Sequence, residues 1–439
     1  MNTLEQLYQH YLLHPEVSTD SRKISEGCIF FALTGSNFDG NQYALDAIAQ
    51  GASLAVVDDE TLPEHPQLML VDDVLLTLQE LAALHRAKLS KPVIAITGTN
   101  GKTTTKELTA AVLSTSFSLL YTEGNLNNHI GVPLTLLRLR AEHDFALIEM
   151  GASKPGDIEE LCQIAQPNYG LITNIGEAHL EGFRSIIGVE RTKAELYVWL
   201  REHDGKIIRR EEDERLARLG QGIPAVTYGQ STEAVIRGRA LTEPNSLYLQ
   251  FEWEAPAIQI APQRQSTQLV GAYNLDNALA AIAIGLFFGV EPARIREALE
   301  RYQPSNSRSQ FVQTERNRLI VDAYNANPSS MQTALHNIFA HKGKDALVLI
   351  LGDMNELGDS SRQAHAEIYA LIQRERQRRT IQALFCGPIW MDYLAQTEEL
   401  SFANAQQLAE YLQQNTITES LILVKGSNGI KLGTIIQYL

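Results

Sequence analysis

The stretch PVIAITGTNGKTTTKELTAAVL, residues 92–113, contains the strongest indication of the fold in this chain. Its first six residues form an apolar run typical of a buried strand, and KELTAAVL at its end has a helical pattern. A glycine-rich turn separates the two. Such a turn exposes backbone N–H groups and the positive end of a helix to a phosphate group. The stretch therefore predicts a phosphate-binding loop between a parallel strand and a helix.

Two side chains of this loop have the chemistry that a nucleotide requires. Lys102 can neutralise the β- and γ-phosphates, and the Thr103 hydroxyl can hold Mg²⁺. The full consensus has a further glycine five positions before Gly101, where this chain has Ile96, so the loop is a shortened variant. The alternative is a helix start with incidental glycines. The predicted phosphate-binding residues are Gly98, Thr99, Asn100, Gly101, Lys102, Thr103 and Thr104.

Patterns on both sides of the loop predict an α/β protein of three domains. SFSLLYTEG, DFALIEMGA and YGLITNIG are continuous apolar runs separated by helical patterns, which indicates a parallel sheet covered on both faces. Residues 225–270 alternate in polarity and predict antiparallel hairpins. A small α/β unit precedes residue 91, and a second doubly wound unit begins near residue 304. The predicted domains are therefore 1–90, 91–303 and 304–439.

Charge and cysteine content exclude several classes of protein. The 52 acidic residues outnumber the 37 Lys and Arg, for a net charge of −15, which argues against binding nucleic acid or an anionic membrane. Three distant cysteines provide neither a disulfide framework nor a zinc pair, as expected in a reducing cytosol. The longest apolar run, residues 278–290, is shorter than the ~20 residues that span a membrane, and the N-terminus has no signal-peptide pattern. We expect a soluble, cytoplasmic protein without a nucleic acid partner.

Polar residues follow the predicted strands of the central domain. Glu149 ends DFALIEM and His179 follows YGLITNIGEA, so both lie where ligands bind to open α/β sheets. Both side chains could face Mg²⁺ or Mn²⁺ near the phosphates. Each could equally cap the end of a strand. By spacing alone, Lys193 in ERTKAELY is a solvated helix lysine.

Three loops of the last domain have a similar composition. Asp322, Asn325 and Asn327 lie in DAYNANPSS, and LGDMNELG and VKGSNG follow two further strands. Each loop could simply be an Asx-turn before a helix. Together they predict a second binding surface that faces the first.

Taken together, these motifs resemble those of the ATP-dependent Mur ligases of peptidoglycan precursor synthesis. GTNGKTT is accompanied by NLNNHIGVPLTLL, IEMGASKPGDIEEL, LITNIGEAHLEGF and the RTKAEL lysine. DAYNANPSS, LGDMNELG and VKGSNG resemble the branch of the family that joins D-alanyl-D-alanine to UDP-N-acetylmuramoyl-tripeptide. DSRKISEGCIFFALTGSNFDGNQYALDAIAQGA resembles the nucleotide-sugar domain of that branch. The resemblance runs in order from residue 20 to residue 427.

The resemblance implies both a fold and a reaction. A central ATPase domain would be flanked by an N-terminal UDP-substrate domain and a C-terminal Rossmann-like domain, in a chain that we expect to be a monomer. The tripeptide carboxylate would attack the γ-phosphate of ATP to form an acyl phosphate. The amine of D-alanyl-D-alanine would then displace phosphate. Phosphoryl transfer needs positioning and charge neutralisation, which Lys102 and two Mg²⁺ ions would supply.

The resemblance also assigns roles to individual residues. Thr103 and Glu149 would ligate Mg²⁺, His179 would help to hold the second ion, and Lys193 corresponds to the family lysine that CO₂ carbamylates. The nucleotide residues would be Asn274, Asn277, Arg308 and Asp322, the first two at the adenine. The other substrates would contact Ser21 and Arg22 (uridine diphosphate), Asn128 (muramoyl group), and Asn325 and Asn327 (D-alanyl-D-alanine). Many relatives have histidine at the position of Tyr273, which we leave without a role.

Two other classes of protein share part of this pattern. Folylpolyglutamate synthases typically read GTNGKGS, whereas Thr103 and Thr104 follow the lysine here. The sister ligase that adds the third stem residue usually has a DNPR-type motif, which this chain lacks. A non-catalytic nucleotide-binding protein would not need Glu149, His179 and Lys193 together. The sequence leaves the identity of the third stem residue open.

Overall fold

A computed structural model describes residues 3–178, 180–241, 246–304, 308–341, 343 and 345–439. Its secondary-structure elements are numbered here in chain order. Within these residues the larger sheets have four, nine and six strands, and they follow one another along the chain. The predicted α/β class is confirmed.

The first part of the chain is a small parallel sheet with helices. Its strands β1, β2, β5 and β6 are neighbours in that order and all parallel, and β3 and β4 form a separate short hairpin. Its elements are α1 (Thr3–Leu13), β1 (Val17–Ser18), β2 (Ile29–Phe31), β3 (Thr34–Gly35), β4 (Phe38–Asp39), the 3₁₀ helix Gly40–Tyr43, α2 (Ala44–Ala49), β5 (Leu54–Val57), β6 (Leu68–Leu70) and α3 (Val74–Leu89).

The long helix α3 joins this unit to the next one. The Asp73 side chain caps its start by accepting from the Leu76 amide, and Ser90 ends it in the left-handed region at φ 52°. Beyond it, Leu7 and Ile29 share one hydrophobic core with Val132. Burial of apolar surface therefore fastens the first unit to the second.

The central part carries the large sheet. Strand order is β15-β14-β13-β12-β11-β10-β7-β9-β8, and neighbours from β8 to β13 are parallel. Its elements are β7 (Val93–Thr97), α4 (Lys102–Leu113), β8 (Leu119–Tyr121), α5 (Gly131–Leu136), β9 (Phe145–Glu149), α6 (Asp157–Ala165), β10 (Tyr169–Ile172), α7 (Leu180–Phe183), α8 (Ile186–Glu202), β11 (Lys206–Arg210), α9 (Glu214–Leu219), β12 (Ala225–Gly229), β13 (Ile236–Leu241), β14 (Tyr248–Ala255), the 3₁₀ helix Pro256–Ile258, β15 (Ile260–Val270), the 3₁₀ helix Ala272–Asn274, α10 (Leu275–Phe287) and α11 (Pro292–Arg301).

The prediction of hairpins over residues 225–270 is correct only in part. β13, β14 and β15 are antiparallel, and β14 alternates between buried and more exposed residues as a one-sided strand does. β12, however, pairs in parallel with both β11 and β13. It therefore extends the parallel sheet, and the antiparallel part begins only at the pair β13 and β14.

The apolar run noted in the sequence is a core helix. α10 packs against α4 and the strands of the central sheet, and its residues from Ala278 to Gly285 are all buried. Among the described residues, no helix is both long and apolar enough to cross a membrane.

The last part is a second doubly wound unit. Its strand order is β16-β17-β21-β18-β19-β20, with every pair parallel except β16 and β17. One hydrophobic cluster covers each face of this sheet. Its elements are β16 (Gln310–Gln313), β17 (Arg318–Asp322), α12 (Pro328–Ala340), β18 (Ala346–Gly352), the 3₁₀ helix Gly358–Ser360, α13 (Ser361–Arg376), β19 (Ile381–Cys386), α14 (Pro388–Tyr393), β20 (Leu400–Phe402), α15 (Ala405–Gln414), β21 (Ser420–Lys425) and the 3₁₀ helices Asn428–Ile430 and Leu432–Tyr438.

Candidate active site

A cavity of about 940 Å³ lies where the carboxyl ends of the central strands face the last domain. β7, β9 and β10 contribute the loops on one side, and β17 and β21 contribute those on the other. Fourteen of the predicted site residues line it: Thr99, Asn100, Gly101, Lys102, Thr103, Thr104, Asn128, Glu149, Asn274, Asn277, Arg308, Asp322, Asn325 and Asn327. The two binding surfaces expected from the sequence are therefore walls of one cavity.

The phosphate loop has the backbone shape that its glycines allow. Gly98 has φ 137°, and a Cβ atom there would lie 2.0 Å from Thr173 Oγ1. Gly101, at φ 79°, caps the start of α4 without a side chain, and a Cβ atom on it would lie 2.5 Å from Asn277 Oδ1. Glycine is required at both positions because any larger residue would collide with these neighbours.

Lys102 folds back over this loop. Its Nζ donates to the carbonyl oxygens of Gly98 and Thr99, at 2.8 and 3.0 Å. Burial lowers the pKa of Lys102 to about 8, helped by the charge of Arg308 and opposed by Glu149. A cation held in this way lies beside the backbone amides that would surround a phosphate group.

Glu149 at the end of β9 has one carboxylate oxygen bound and one free. Oε1 accepts from the Thr103 hydroxyl at 3.1 Å and from the Asn127 amide at 2.8 Å. Oε2 is buried and accepts no hydrogen bond from the described residues, in a side chain that is 1% exposed. A buried carboxylate oxygen without a donor suits an oxygen-preferring cation.

The protein offers few other ligands for such a cation in the described part of the chain. No group of three or more His, Cys, Asp or Glu side chains there could hold a metal ion. His179, the other predicted ligand, lies outside the described residues.

Lys193 is not the solvated lysine that its spacing predicts. It lies on α8, is 3% exposed, and has its Nζ 5.7 Å from the centre of the Phe183 ring. Burial and the charge of Lys102 lower the pKa of Lys193 to about 7, against the opposing charges of Asp157 and Glu195. It does not line the cavity. An amine of this kind is partly neutral at physiological pH.

Asn274 and Asn277 form a ladder at the start of α10. The Asn274 amide donates to the Val270 carbonyl at 2.8 Å, and the Asn277 amide donates to Asn274 Oδ1 at 2.9 Å. The Thr105 hydroxyl of α4 donates to Asn277 Oδ1 at 3.1 Å. The ladder therefore ties the start of α10 to the helix that follows the phosphate loop.

Tyr273 connects the central and last domains on another wall of the cavity. Its hydroxyl lies 2.7 Å from Ser309 Oγ, and burial raises the pKa of Tyr273. The Ser309 amide in turn donates to Asp322 Oδ1 at 3.4 Å.

The last domain contributes charged groups from its sheet edge. Lys425, which is 1% exposed, forms an ion pair with Asp322 at 2.5 Å and donates to the Asn325 carbonyl at 3.2 Å. The Arg308 guanidinium lies 3.9 Å from the centre of the Tyr324 ring. The Asn325 side chain is exposed.

Two predicted substrate residues have structural tasks. Asn128 Oδ1 accepts from the amides of Ile130 and Gly131 at the start of α5. Asn327 is the N-cap of α12, where its Oδ1 accepts from the Ser330 amide at 2.9 Å. Both residues nonetheless lie on the cavity wall.

Ser21 and Arg22 are not part of this cavity. They lie in the first domain, where Arg22 is exposed and forms an ion pair with Asp20 at 2.8 Å. Ser21 and Arg22 therefore lie on a surface of the first domain that is separate from the cavity.

LGDMNELG contributes less to the cavity than its composition suggests. Asp353 is fully buried, and its carboxylate accepts from the amides of Ile389 and Trp390 at the start of α14, both at 2.9 Å. Only Glu356 of this loop reaches the cavity wall. The aspartate is thus a cap for a neighbouring helix.

Sequence reasoning missed several polar residues of the site. Asn127 holds Glu149, and Asn174 binds the backbone of Asn100 at both its N–H and its C=O group. Ser329 and Lys425 were also missed. Each lies inside a motif quoted above. A single sequence, however, does not indicate which residue of a motif forms a hydrogen bond or an ion pair with another loop.

Comparison with known proteins agrees with this arrangement along the whole chain. Three family models match in order: "Mur ligase family, catalytic domain" at residues 15–86, "Mur ligase middle domain" at 96–285 and "Mur ligase, glutamate ligase domain" at 307–428.

Among individual relatives, two named UDP-N-acetylmuramoyl-tripeptide–D-alanyl-D-alanine ligase are similar in sequence. That of Bacillus subtilis (strain 168) is 33% identical over 98% of this chain and 94% of its own length. That of Haemophilus influenzae is 34% identical over 97% and 93%. A crystal structure of MurF from Acinetobacter baumannii is 30% identical, with a TM-score of 0.85 over 99% of this chain and 97% of that one. The chain belongs to the Mur ligase family, in its branch of UDP-N-acetylmuramoyl-tripeptide–D-alanyl-D-alanine ligases.

Proposed function

We propose that this protein uses ATP to join D-alanyl-D-alanine to UDP-N-acetylmuramoyl-tripeptide, releasing ADP and phosphate during peptidoglycan precursor synthesis. The observation that carries the proposal is a single cavity whose walls include the phosphate loop with Lys102, the carboxylate of Glu149 and the loops of the last domain. A ligase needs such a cavity because three substrates must meet there.

The chain's own residues would organise the phosphoryl transfer. The loop amides and Lys102 would hold the β- and γ-phosphates in line with the tripeptide carboxylate, which attacks the γ-phosphorus and forms an acyl phosphate. The amine of D-alanyl-D-alanine then attacks the acyl carbon, and phosphate leaves from the tetrahedral intermediate. Enclosure between two domains would keep water from the acyl phosphate.

Mg²⁺ fits the donors that the loop presents. Thr103 Oγ1 and Glu149 Oε2 are hard oxygen ligands beside the phosphate loop, and Oε2 has no donor to satisfy it among the described residues. Bound Mg²⁺ would neutralise the charge that develops on the transferred phosphoryl group. We assign a second ion to His179 and to Lys193 in its carbamylated form.

The environment of Lys193 supports carbamylation. Reaction with CO₂ needs a neutral amine, and burial beside the Lys102 charge brings the pKa of Lys193 to about 7. The product is an anionic oxygen ligand in place of an ammonium group, which removes the repulsion between the two lysines.

The other substrate groups are assigned to separate parts of the chain. Domain 1–90 would bind uridine diphosphate through Ser21 and Arg22, domain 91–303 would bind ATP, and domain 304–439 would complete the site. Asn128 lies on the wall nearest the muramoyl substrate in this scheme, and Asn325 has the exposed amide that a dipeptide could contact. Asn274 and Asn277 would contact adenine, with Arg308 and Asp322 closing over the nucleotide.

The experiment that tests this function is a coupled phosphate-release assay with a panel of UDP-muramoyl peptides and dipeptides. We expect turnover to require ATP, a UDP-muramoyl-tripeptide and D-alanyl-D-alanine together. Phosphate release that is independent of the dipeptide would contradict the proposal and favour a simple nucleotide hydrolase.

Lys102→Ala tests the phosphate loop in the same assay. We expect turnover to fall at least a hundredfold, since removal of one charge-stabilising group costs several kcal/mol of barrier. The UDP-tripeptide should still bind in calorimetry, because its nucleotide sugar docks on the first domain. The exposed Lys206 is the matched control, and Lys206→Ala should leave turnover unchanged. Near-normal turnover of Lys102→Ala would contradict the assignment.

A further inference from the structure

Three side chains form a closed ring of hydrogen bonds between the phosphate loop and the last domain. The Asn100 amide donates to Ser329 Oγ at 2.8 Å, the Ser329 hydroxyl donates to Asn327 Oδ1 at 3.0 Å, and the Asn327 amide donates to Asn100 Oδ1 at 2.8 Å. Asn100 belongs to the loop, whereas Asn327 and Ser329 begin α12. The ring therefore joins two domains that are distant in sequence.

The direction of each hydrogen bond is determined by the helix cap. Asn327 Oδ1 accepts from the Ser330 amide at 2.9 Å, so its amide nitrogen must point toward Asn100. Asn100 must then present its carbonyl oxygen to Asn327 and its amide to Ser329. The Ser329 hydroxyl, which accepts from Asn100, directs its hydrogen to Asn327. One arrangement alone satisfies every donor and acceptor, so the contact is specific.

On the loop side, the backbone of Asn100 contacts the segment that follows β10, while its side chain belongs to the ring. The Asn100 N–H group donates to Asn174 Oδ1 at 3.0 Å, and its carbonyl accepts from Asn174 Nδ2 at 3.0 Å and from the Thr173 hydroxyl at 2.7 Å. Its neighbour Thr99 supplies one of the carbonyls that hold Lys102 Nζ. A displacement of Asn100 would therefore shift the lysine that faces the phosphates.

On the other side, the ring is attached to a rigid element. Asn327 is 4% exposed, and α12 is anchored in the core of the last domain by Met331, Leu335 and Ile338. The Asn327–Ser330 capping box fixes the first turn of the helix. The position of Asn327 and Ser329 in the ring therefore depends on the position of the whole last domain.

We propose that the Asn100–Ser329–Asn327 ring couples the docking of the last domain to the shape of the phosphate loop. This inference rests on the proposed function. Asn327 and Ser329 are positioning residues, because they act on the phosphates through Asn100 and Lys102. The loop reaches its reactive shape only when the domain that completes the site is docked. ATP can bind first, while acyl phosphate formation waits for docking.

The test compares Ser329→Ala with Ser330→Ala by hydrogen exchange in the full-length protein. Ser329→Ala opens the ring but leaves the Ser330 amide bonded to Asn327. Ser330→Ala removes the hydroxyl half of the capping box and leaves the ring intact, which makes it the matched control. We expect the loop amides of residues 98–104 to exchange about tenfold faster in Ser329→Ala and within twofold of wild type in Ser330→Ala.

Steady-state kinetics distinguish this coupling from a purely structural role of the ring, because they separate kcat from the KM for ATP. Ser329→Ala should lower kcat about tenfold and leave the KM for ATP within twofold, because the ring acts after ATP has bound. The double variant Asn100→Ala/Ser329→Ala should lose no more turnover than Asn100→Ala alone, since both break the same ring.

Three results would overturn the proposal. The first is that the loop amides of Ser329→Ala exchange at the rate of wild type. The second is that exchange is accelerated equally in Ser330→Ala. The third is that the double variant loses more turnover than Asn100→Ala alone. If wild type shows no dipeptide-dependent phosphate release, the proposed function fails while the exchange comparison still decides the role of the ring.

Discussion

Buried lysines have different surroundings in this chain. Lys106 donates to the Thr122 carbonyl and pairs with Glu107, and Lys425 pairs with Asp322. Lys193 forms no ion pair with a carboxylate among the described residues, and its Nζ lies 5.7 Å from the centre of the Phe183 ring. A buried ammonium without a counter-ion is costly, so burial there favours the neutral amine.

The carbamate proposed for Lys193 leads to a prediction by substitution. Lys193→Ala should lose most ligation, and a short carboxylic acid in the buffer should restore part of it by supplying the missing anion. Lys193→Arg should not recover activity, because a guanidinium stays positive. Arg191→Ala, an exposed change on the same helix, is the control and should behave as wild type. Normal turnover of either Lys193 variant in CO₂-depleted buffer would contradict the carbamate.

The pH dependence follows from the same group. Carbamylation needs the deprotonated amine, whose fraction rises as pH increases through about 7, the pKa of Lys193. In wild type at limiting CO₂, ligation should therefore rise between about pH 6 and 8, and saturating CO₂ should flatten the rise. ¹³C NMR with ¹³CO₂ should show a carbamate signal that is absent from Lys193→Arg.

At the scale of elements, the strand–loop–helix unit depends on a close backbone approach. Gly98→Ala would place a methyl group 2.9 Å from the Thr173 backbone nitrogen as well as against its hydroxyl. We expect the affinity for ATP to fall at least tenfold, as calorimetry would measure, because the loop must move away from β10. Gly433→Ala is the control, since a Cβ atom there meets no heavy atom within 4 Å. Equal affinity in both variants would contradict this view of the loop.

Helix capping by Asp353 gives a second prediction at this scale. Asp353→Ala leaves two amides at the start of α14 without their acceptor, in a fully buried position. The free energy of unfolding should fall by about 2–3 kcal/mol, measured by denaturant titration. The exposed Asp359→Ala should change it by less than about 0.5 kcal/mol. A loss of ligation without a loss of stability would instead indicate that Asp353 contacts substrate.

At the scale of the whole molecule, the domains are joined by different kinds of contact. The first and central domains share a hydrophobic core and further polar contacts, among them that of Arg140 with Tyr11 at 3.0 Å. The central and last domains meet at the cavity through the Asn100 ring and the Tyr273–Ser309 pair, and Val270 adds an apolar contact to the core of the last domain. Polar contacts around a cavity break more easily than a large shared core, so substrate-dependent movement is expected mainly there.

Domain movement can be measured by small-angle scattering. An ATP analogue and UDP-tripeptide together should reduce the radius of gyration, because the domains must approach one another to bring the ligands into contact. Either ligand alone serves as the control and should give a smaller change. An unchanged radius at saturation with both ligands would contradict closure.

Much of the fold and part of the site could be predicted from sequence because the signals are local. Continuous apolar runs indicate buried parallel strands, and a glycine-rich turn between strand and helix has few other uses. The prediction of hairpins over residues 225–270 was correct only in part, and spacing alone wrongly made Lys193 a solvated lysine. In both cases the packing partners come from other segments of the chain, as they do for Asp353, whose carboxylate binds the amides of Ile389 and Trp390.

The amino-acid sequence is enough to predict the chemistry that the chain offers: a phosphate loop with Lys102 and Thr103, a carboxylate at Glu149, and a family whose members are ligases. Those features depend on residue types within short segments. Three features appear only in the folded chain: Glu149 Oε2 has no hydrogen-bond donor among the described residues, Lys193 is buried near the charge of Lys102, and Asn100 contacts the start of α12. Burial and hydrogen-bond partners arise where distant segments pack together, and no local pattern encodes that meeting.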